Sequence, residues 1–137
     1  MIRRRLALLA LALCLMPPSM PSLAAGSWVA NQAGPRVALA DATTRSSPLS
    51  APTRQARGQR ITSVSWRFSL PDTEHSRVTA KLCHPVRCVT LASERGSTEA
   101  LAGLDADAPL TFQFRLARPG PAVQTQGLQV IVNYRES

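Results

Sequence analysis

Two cysteines are the residues of this sequence best placed to form a covalent bond. Cys83 and Cys88 flank the tetrapeptide His-Pro-Val-Arg, in a stretch whose alternating side chains predict a β-hairpin. With Cys83 opposite Cys88, Leu82 lies opposite Val89, and the apolar residues of both arms share one face. Register, turn and cysteines agree on one pairing, so we predict a Cys83–Cys88 disulfide, which requires an oxidising compartment.

The alternative for this cysteine pair is a redox switch. Catalytic redox pairs are usually spaced Cys-x-x-Cys at the start of a helix. Here four residues separate the cysteines, and the pair lies on a predicted hairpin. We therefore interpret the disulfide as a structural staple, which stabilises the fold by roughly 2 kcal/mol because the loop that it closes is short.

The remaining reactive side chains do not predict a catalytic or metal site. His75 and His84 are the only histidines, and neither has a second ligand at a spacing suited to zinc. A copper site formed by both histidines is the alternative. The sequence contains no Gly-x-Ser-x-Gly nucleophile elbow. We expect no enzymatic activity, no metal and no cofactor, since an enzyme would need a cleft that holds a histidine beside a carboxylate.

The N-terminus predicts export. Arginines at positions 3–5 precede an apolar run over residues 6–16, and small residues lie at the cleavage positions around Ala24. This is the pattern of a secretory signal peptide, and the apolar run is about half the length needed to span a bilayer. We expect removal of residues 1–24, with cleavage after Ala25 as the alternative. Residues 25–137 then form a single domain without a membrane-spanning segment.

The net charge of the chain gives little information about a binding partner. Loss of the signal peptide lowers the formal net charge from +8 to +5, and the excess is almost all arginine. Such an excess could attract an anionic surface or partner. We interpret it instead as solvated surface charge, which is the common case.

Period-two hydrophobic patterns predict an all-β fold. In the clearest run, Val64, Trp66 and Phe68 alternate with polar residues. We predict an antiparallel two-sheet β-sandwich of about 6–8 short strands. Further strand-like runs cover residues 28–29, 37–39, 78–82, 89–91, 98–101, 110–116 and 128–134.

The segments between these runs predict loops and turns. Residues 41–60 are rich in proline and serine, show no periodicity and are typical of a long, mobile polar loop. Arg95-Gly96 predicts a turn. The last run, over residues 128–134, is a candidate edge strand of a sheet.

The six aromatic residues argue against a surface for stacking bases. Five of them share a face with aliphatic residues on period-two strands and are predicted to lie in the core. Only Trp28 is uncommitted, and it could cap the core or contact a partner. We therefore expect no nucleic-acid binding, because such a platform needs exposed aromatic residues.

Several short motifs are spread in order over most of the chain after the signal peptide. They are Trp28, Pro48-Leu49-Ser50, Gly58, Ile61, Val64-x-Trp66-Arg67, Leu82-Cys83, Cys88-Val89-x-Leu91, Gly96-x-Thr98, Gly103, Pro109-Leu110-x-Phe112 and residues 130–135. The cysteine hairpin and the C-terminal sequence Val-Ile-Val-Asn-Tyr-Arg are the most specific of them. Together these motifs resemble the FlhE family of flagellar proteins.

The resemblance implies a binding protein and no reaction. Proteins of this family are periplasmic, and they are linked to the flagellar type III export apparatus. One role proposed for them is to limit proton leakage through the export gate. Another is to act as a periplasmic chaperone that stops flagellar subunits from assembling in the wrong compartment. The implied partners are flagellar rod, hook or filament subunits, or components of the export apparatus.

Two partner-binding hypotheses follow. In the first, the strand at residues 128–134 or the polar loop contacts a flagellar client; the alternative for this strand is that Val130, Val132 and Tyr134 fill the core. In the second, the protein binds carbohydrate or cell-wall polymer through aromatic residues and the arginines of residues 45–67. The candidate partner-binding residues are Trp28, Pro48, Leu49, Arg67, Ile131, Asn133 and Arg135. The oligomeric state is left open.

Overall fold

The computed structural model describes Pro17 and residues 25–136, and the predicted signal peptide otherwise lies outside the described residues. The regular secondary structure of the described part is almost entirely β-strand, as predicted. It contains no helix that is long and apolar enough to cross a membrane. The strands are β1 (Ala25–Gln32), β2 (Arg36–Val37), β3 (Thr44–Arg45), β4 (Gln59–Ser69), β5 (Val78–Cys83), β6 (Cys88–Leu91), β7 (Arg95–Thr98), β8 (Thr111–Leu116), β9 (Val123–Gln124) and β10 (Gln126–Glu136), with one 3-10 helix at Arg54–Ala56.

The strands form two four-stranded sheets and one small two-stranded sheet. The first sheet has the order β1-β10-β4-β7, and the second has the order β3-β8-β5-β6. Strands β2 and β9 pair separately. All strand pairs are antiparallel. The predicted antiparallel all-β architecture is therefore confirmed, but the described residues form ten strands rather than about 6–8, and the small third sheet is an addition.

The core lies between the two larger sheets. Alternate residues of β4, including Phe68, point inward, as the period-two pattern predicts. From the opposing sheet, β8 contributes Phe112 and Phe114. The Phe68 ring meets both of these rings edge-on, with centroid distances of 6.0 and 5.3 Å. This is a favourable aromatic geometry, and it joins the two sheets across the core.

The cysteine hairpin has the predicted register. Cys83 pairs with Cys88 and Leu82 with Val89, and the disulfide is formed. His84 and Arg87 exchange both backbone hydrogen bonds at the turn, at 2.8 and 3.2 Å. Because hydrogen-bonded and non-hydrogen-bonded pairs alternate in an antiparallel ladder, the cysteines occupy a non-hydrogen-bonded pair. The Cα atoms are closer in such pairs, here 4.0 Å apart, which suits a cross-strand disulfide.

The predicted turn at Arg95-Gly96 is wrong, because both residues belong to strand β7. Gly96 lies opposite Trp66 of β4. A Cβ atom at Gly96 would lie 2.5 Å from Cζ2 of the Trp66 ring. Glycine is therefore required here to make room for the indole, whose Nε1 donates to the carbonyl of Ser93 at 3.0 Å.

The segment over residues 41–60 is more regular than predicted. It contains β3 and the 3-10 helix, and Leu49 near its middle is fully buried. Leu49 and Leu110 exchange two backbone hydrogen bonds, of 2.7 and 2.9 Å. The buried hydroxyl of Ser46 accepts from the backbone N–H of Phe112 at 2.9 Å. Most of the segment is nevertheless loop, and one leucine and one serine anchor it to the second sheet.

The C-terminal strand is not an edge strand, contrary to prediction. β10 lies between β1 and β4 and pairs with both. Its inward residues Val130, Val132 and Tyr134 are buried in the core. The edge position belongs to β1, which pairs with β10 without a bulge from Ala25 to Gln32.

Candidate partner-binding face

The first sheet has an outer face that brings together four of the seven predicted partner-binding residues. We define the outer face as the side chains of β1, β10, β4 and β7 that point away from the core. Arg67, Ile131, Asn133 and Arg135 all lie on it. Alternation explains this grouping, because the three β10 residues are spaced by two and their inward neighbours are buried.

Amide side chains form hydrogen-bonded pairs across this face. On one side of Ile131, Gln129 donates to Oδ1 of Asn31 at 3.0 Å. On the other side, Asn133 donates to Oγ of Ser63 at 2.9 Å. These contacts hold the polar side chains in place and leave their remaining donors and acceptors directed toward solvent.

Between the amide pairs lies a small apolar strip. Ile131 is half-buried and lies opposite Val29 of β1 on one side and Ser65 of β4 on the other. Val29 is 43 % exposed. Isolated exposed apolar residues are ordinary on protein surfaces, but here two of them adjoin on a flat sheet between ordered polar groups. That combination can make both apolar and hydrogen-bonding contacts with another chain.

Arginine pairs lie at both ends of the outer face, and the pair at Arg60 and Arg135 shares a groove with Glu99 and Glu136. Arg67 lies directly opposite Arg95, and Arg135 lies opposite Arg60. Within the described residues, ion pairs form at Glu74 and Glu94, and none of these four arginines takes part in one. Like charges directly opposite each other destabilise a sheet. The pair formed by Arg67 and Arg95 is therefore an unfavourable charge arrangement, since no carboxylate of the described residues lines the groove beside it.

A shallow groove of about 430 Å³ runs over this face at its β7 side. Its walls combine the arginine pair, serine hydroxyls and the apolar side chain of Ile131. The groove is lined by Ser65, Trp66, Arg67, Arg95, Gly96, Ser97, Gln129 and Ile131.

Three predicted partner-binding residues lie outside this face. Trp28 is 5 % exposed, and its Nε1 donates to the carbonyl of Ala106 at 2.8 Å, so it caps the core. Leu49 is fully buried. We therefore remove both from the candidate site, because their side chains offer almost no surface. Pro48 is exposed, but its carbonyl already accepts from the side chain of Gln32 at 3.0 Å.

The aromatic platform that carbohydrate binding would use is not on the described surface. Trp28 and Tyr134 are both buried, and Tyr134 is only 7 % exposed. Its ring occupies the space beside Gly26, where a Cβ atom would lie 2.7 Å from the phenolic oxygen. Burial of both rings counts against the carbohydrate hypothesis, because stacking on a sugar requires an accessible ring face.

The two histidines have different local roles. His84 is 5 % exposed; its Nδ1 lies 3.1 Å from the backbone N–H of Val86, and its Nε2 lies 2.9 Å from the carbonyl of Asp105. Since an N–H donates and a carbonyl accepts, these partners assign a neutral ring protonated on Nε2. His84 thereby ties the cysteine hairpin to the loop that precedes β8. The sequence signal for this role was only its position within the turn.

His75 does lie beside a carboxylate in a groove, as the enzymatic alternative would require. Its Nδ1 contacts Glu94, and a groove of about 270 Å³ adjoins both residues. The other oxygen of Glu94 accepts from the backbone N–H of Leu70 at 2.6 Å. The nearby Ser93 hydroxyl donates to the carbonyl of Arg95 at 2.6 Å rather than to the imidazole. The arrangement therefore joins the turn after β4 to the β6–β7 loop.

The fold and its outer face define a small, disulfide-stapled β-sandwich whose predicted binding residues gather on a mixed apolar and basic sheet surface. The chain belongs to the family of the flagellar protein FlhE, since the profile of that family matches residues 34–135. The resemblance predicted from sequence motifs is thus confirmed.

Relatives and a solved structure agree with this assignment. The chain is 37 % identical over 118 residues to flagellar protein FlhE of Yersinia enterocolitica, covering 83 % of this chain and 84 % of that protein. It is 34 % identical over 128 residues to flagellar protein FlhE of Escherichia coli K12, covering 91 % and 97 %. A crystal structure of FlhE superimposes with a TM-score of 0.73 at 32 % identity, covering 82 % of this chain and 98 % of that one.

Proposed function

We propose that this protein is an exported, periplasmic accessory protein of the flagellar system that acts by binding another protein through its outer face. Membership of the FlhE family supports the flagellar role. The observation that carries the binding role is the grouping of Arg67, Ile131 and Asn133 beside a groove on one sheet surface. The proposed action needs no reaction and no cofactor.

Two features support export to an oxidising compartment. The basic and apolar N-terminal pattern over residues 1–24 is that of a signal peptide. The Cys83–Cys88 disulfide persists in compartments such as the bacterial periplasm and is rare in the cytosol.

The charges on the outer face indicate the chemistry of the partner. The pair formed by Arg67 and Arg95 is unfavourable in the free protein, because two like charges face each other across a ladder. Proteins often break such local rules where a surface has a binding role. We infer a partner surface that places carboxylates over this arginine pair and apolar atoms over Ile131.

The action takes one of two forms. As a chaperone, the protein would cover rod, hook or filament subunits and stop them from assembling in the periplasm. As a gatekeeper, it would bind the export apparatus and limit proton leakage. In both forms the protein works by occupying a surface, so a single substitution on the outer face should abolish either one.

The experiment is a complementation test in a strain that lacks this gene. Cells are imaged by electron microscopy for flagellar filaments trapped in the periplasm, and their cytoplasmic pH is recorded. Plasmids supply the wild type, Ile131→Lys, or the control Gln113→Lys. Ile131 points outward from an interior strand of the first sheet, while Gln113 lies on β8 of the second sheet, so the two changes add the same charge to opposite sides.

The expected result is that the wild type and Gln113→Lys correct the defect, whereas Ile131→Lys does not. Periplasmic levels of all three proteins are compared to show that each one folds. Trapped filaments in the deletion strain would support the chaperone form, and a fall in cytoplasmic pH would support the gatekeeper form. A deletion strain that is normal in both respects would refute the proposed function. If Ile131→Lys fully corrects the defect of the deletion strain, the outer face is not the binding surface.

A further inference from the structure

Strand β1 leaves one edge of the first sheet without a neighbouring strand. It pairs with β10 in continuous register from Ala25 opposite Arg135 to Gln32 opposite Leu128. Along the described chain, no backbone hydrogen bond joins the other side of β1 to a second segment. Among the described residues, the outward-directed N–H and C=O groups of this strand therefore have no backbone partner, although the 3-10 helix at Arg54–Ala56 packs close to β1.

The hydrogen-bond pattern identifies which residues carry these groups. The backbone N–H of Phe68 donates to the carbonyl of Glu94 at 2.9 Å, so the even-numbered residues of β4 near this point bond toward β7. The alternation of an antiparallel ladder then directs the odd-numbered residues of β4, such as Ser65, toward β10. Ser65 lies opposite Ile131, so the even-numbered residues of β10 bond toward β1.

The same alternation continues into β1. Val130 and Val132 lie opposite Ala30 and Trp28, which are the residues of β1 that bond to β10. The backbone groups at the free edge therefore belong to Ser27, Val29 and Asn31. Their side chains lie on the outer face, beside Ile131 and its neighbours.

The composition of β1 does not protect this edge. Its eight residues, Ala-Gly-Ser-Trp-Val-Ala-Asn-Gln, contain no charge and no proline. Proteins usually prevent unwanted pairing at an edge strand with lysine, proline, a bulge or a very short strand. The other edges of the larger sheets are shorter, since β7 and β6 have four residues each and β3 has two. A long, straight, uncharged edge strand favours addition of a partner strand.

We propose that the free edge of β1 binds an extended, uncharged segment of a flagellar subunit as a fifth strand of the first sheet. This inference rests on the proposed function and names the way in which the client is held. Backbone groups of Ser27, Val29 and Asn31 supply the hydrogen bonds. Side chains on one side of the added strand extend the apolar strip of Val29 and Ile131. The part of the segment beside Ser27, Val29 and Asn31 is uncharged, because the arginines of the face lie on β4 and β7 and, on β10, opposite Ala25 at the far end of β1.

The test uses proline to delete one edge donor without touching the ladder. Val29→Pro removes an N–H that points away from β10, and proline is tolerated at such edge positions. Val29→Ala keeps that N–H and removes the apolar side chain. Thr90→Pro is the matched control, because Thr90 lies in the non-hydrogen-bonded position of the edge strand β6 in the second sheet.

Binding is measured by calorimetry with the purified protein and purified monomeric rod, hook and filament subunits as separate probes. For the subunit that the wild type binds, Val29→Pro should weaken binding about tenfold beyond the effect of Val29→Ala. Thr90→Pro should bind as the wild type does. Amide hydrogen exchange gives a second readout. In the complex, the amides of Ser27, Val29 and Asn31 should become protected, whereas those of Trp28 and Ala30 are already protected in the free protein.

The outcomes separate this inference from the proposed function. If the wild type binds none of the three subunits, the edge inference and the chaperone form are overturned, and only the gatekeeper form of the proposed function survives. If the wild type binds and Val29→Pro matches Val29→Ala, only the edge inference is overturned, and binding through the outer face survives. Protection of the Val29 amide that rises with protein concentration in the absence of a subunit would show that a second copy occupies the edge, and this also overturns the inference.

Discussion

The contact between Gly96 and Trp66 predicts a large loss of stability from the addition of one methyl group. In Gly96→Ala the new Cβ would lie 2.5 Å from Cζ2 and 2.7 Å from Cη2 of the indole, whereas ordinary contacts begin at 3.4 Å. The ring must therefore shift by roughly 1 Å within a closely packed core. Such a shift also threatens the 3.0 Å hydrogen bond from Nε1 to the Ser93 carbonyl.

Three contributions determine how much Gly96→Ala changes the free energy of unfolding. Overpacking of a core costs about 1–3 kcal/mol. Loss of the indole hydrogen bond adds about 1 kcal/mol. Replacing glycine by alanine within a strand returns about 0.5–1 kcal/mol of conformational entropy. We therefore expect Gly96→Ala to lower the free energy of unfolding by about 1–3.5 kcal/mol.

Urea denaturation followed by tryptophan fluorescence measures this change. A double-mutant cycle with Trp66→Phe isolates the contact, because phenylalanine lacks the indole atoms nearest to Gly96. In the Trp66→Phe background, Gly96→Ala should cost less than about 0.5 kcal/mol. A cost that is the same in both backgrounds would refute the reasoning and would return Gly96 to a purely backbone role.

Three further predictions concern other parts of the fold. Removing the disulfide with Cys83→Ala and Cys88→Ala should lower the free energy of unfolding in urea by roughly 2 kcal/mol, and a reducing agent should act on the wild type to the same extent; no change on reduction would contradict the staple. His84→Ala should cost about 2–3 kcal/mol by the same measurement, because two backbone groups lose their partner and a cavity remains; a cost below half of that would mean that the loop before β8 does not depend on this residue. Arg95→Gln should raise the free energy of unfolding by a few tenths of a kcal/mol, because it removes one of two like charges that face each other, and the melting temperature should rise slightly. The same variant should bind the client more weakly. A variant that loses both stability and binding would show that the arginine pair is structural.

Much of the local structure was predictable from the sequence because alternation fixes which face of a strand is buried. The pairing of Cys83 with Cys88 follows from one cysteine pair, a turn and the apolar residues around them. The inward orientation of Val130, Val132 and Tyr134 follows from their spacing of two. The same spacing placed Ile131 on the outer face with Arg67.

The lateral order of the strands was not predictable in this way. Periodicity says nothing about which strands adjoin, so the interior position of β10 was missed and β1 was predicted too short. Gly96 has the composition of a turn, and only the indole of Trp66 on a distant strand explains it. Leu49 is one apolar residue in a polar stretch, and its burial depends on pairing with Leu110. Each miss involves a contact between residues far apart in the sequence.

The position of β10 has a consequence for the order in which the chain folds. β10 lies between β1 and β4, so Ala25 can pair with Arg135 only after the chain has been made through residue 135. Folds dominated by pairings between distant segments form slowly, because loop closure must precede the contacts that stabilise them. The first sheet therefore cannot form completely until β10 has been synthesised. This delay would suit the export proposed above, and it predicts that truncation before residue 126 leaves the N-terminal strand without its partner.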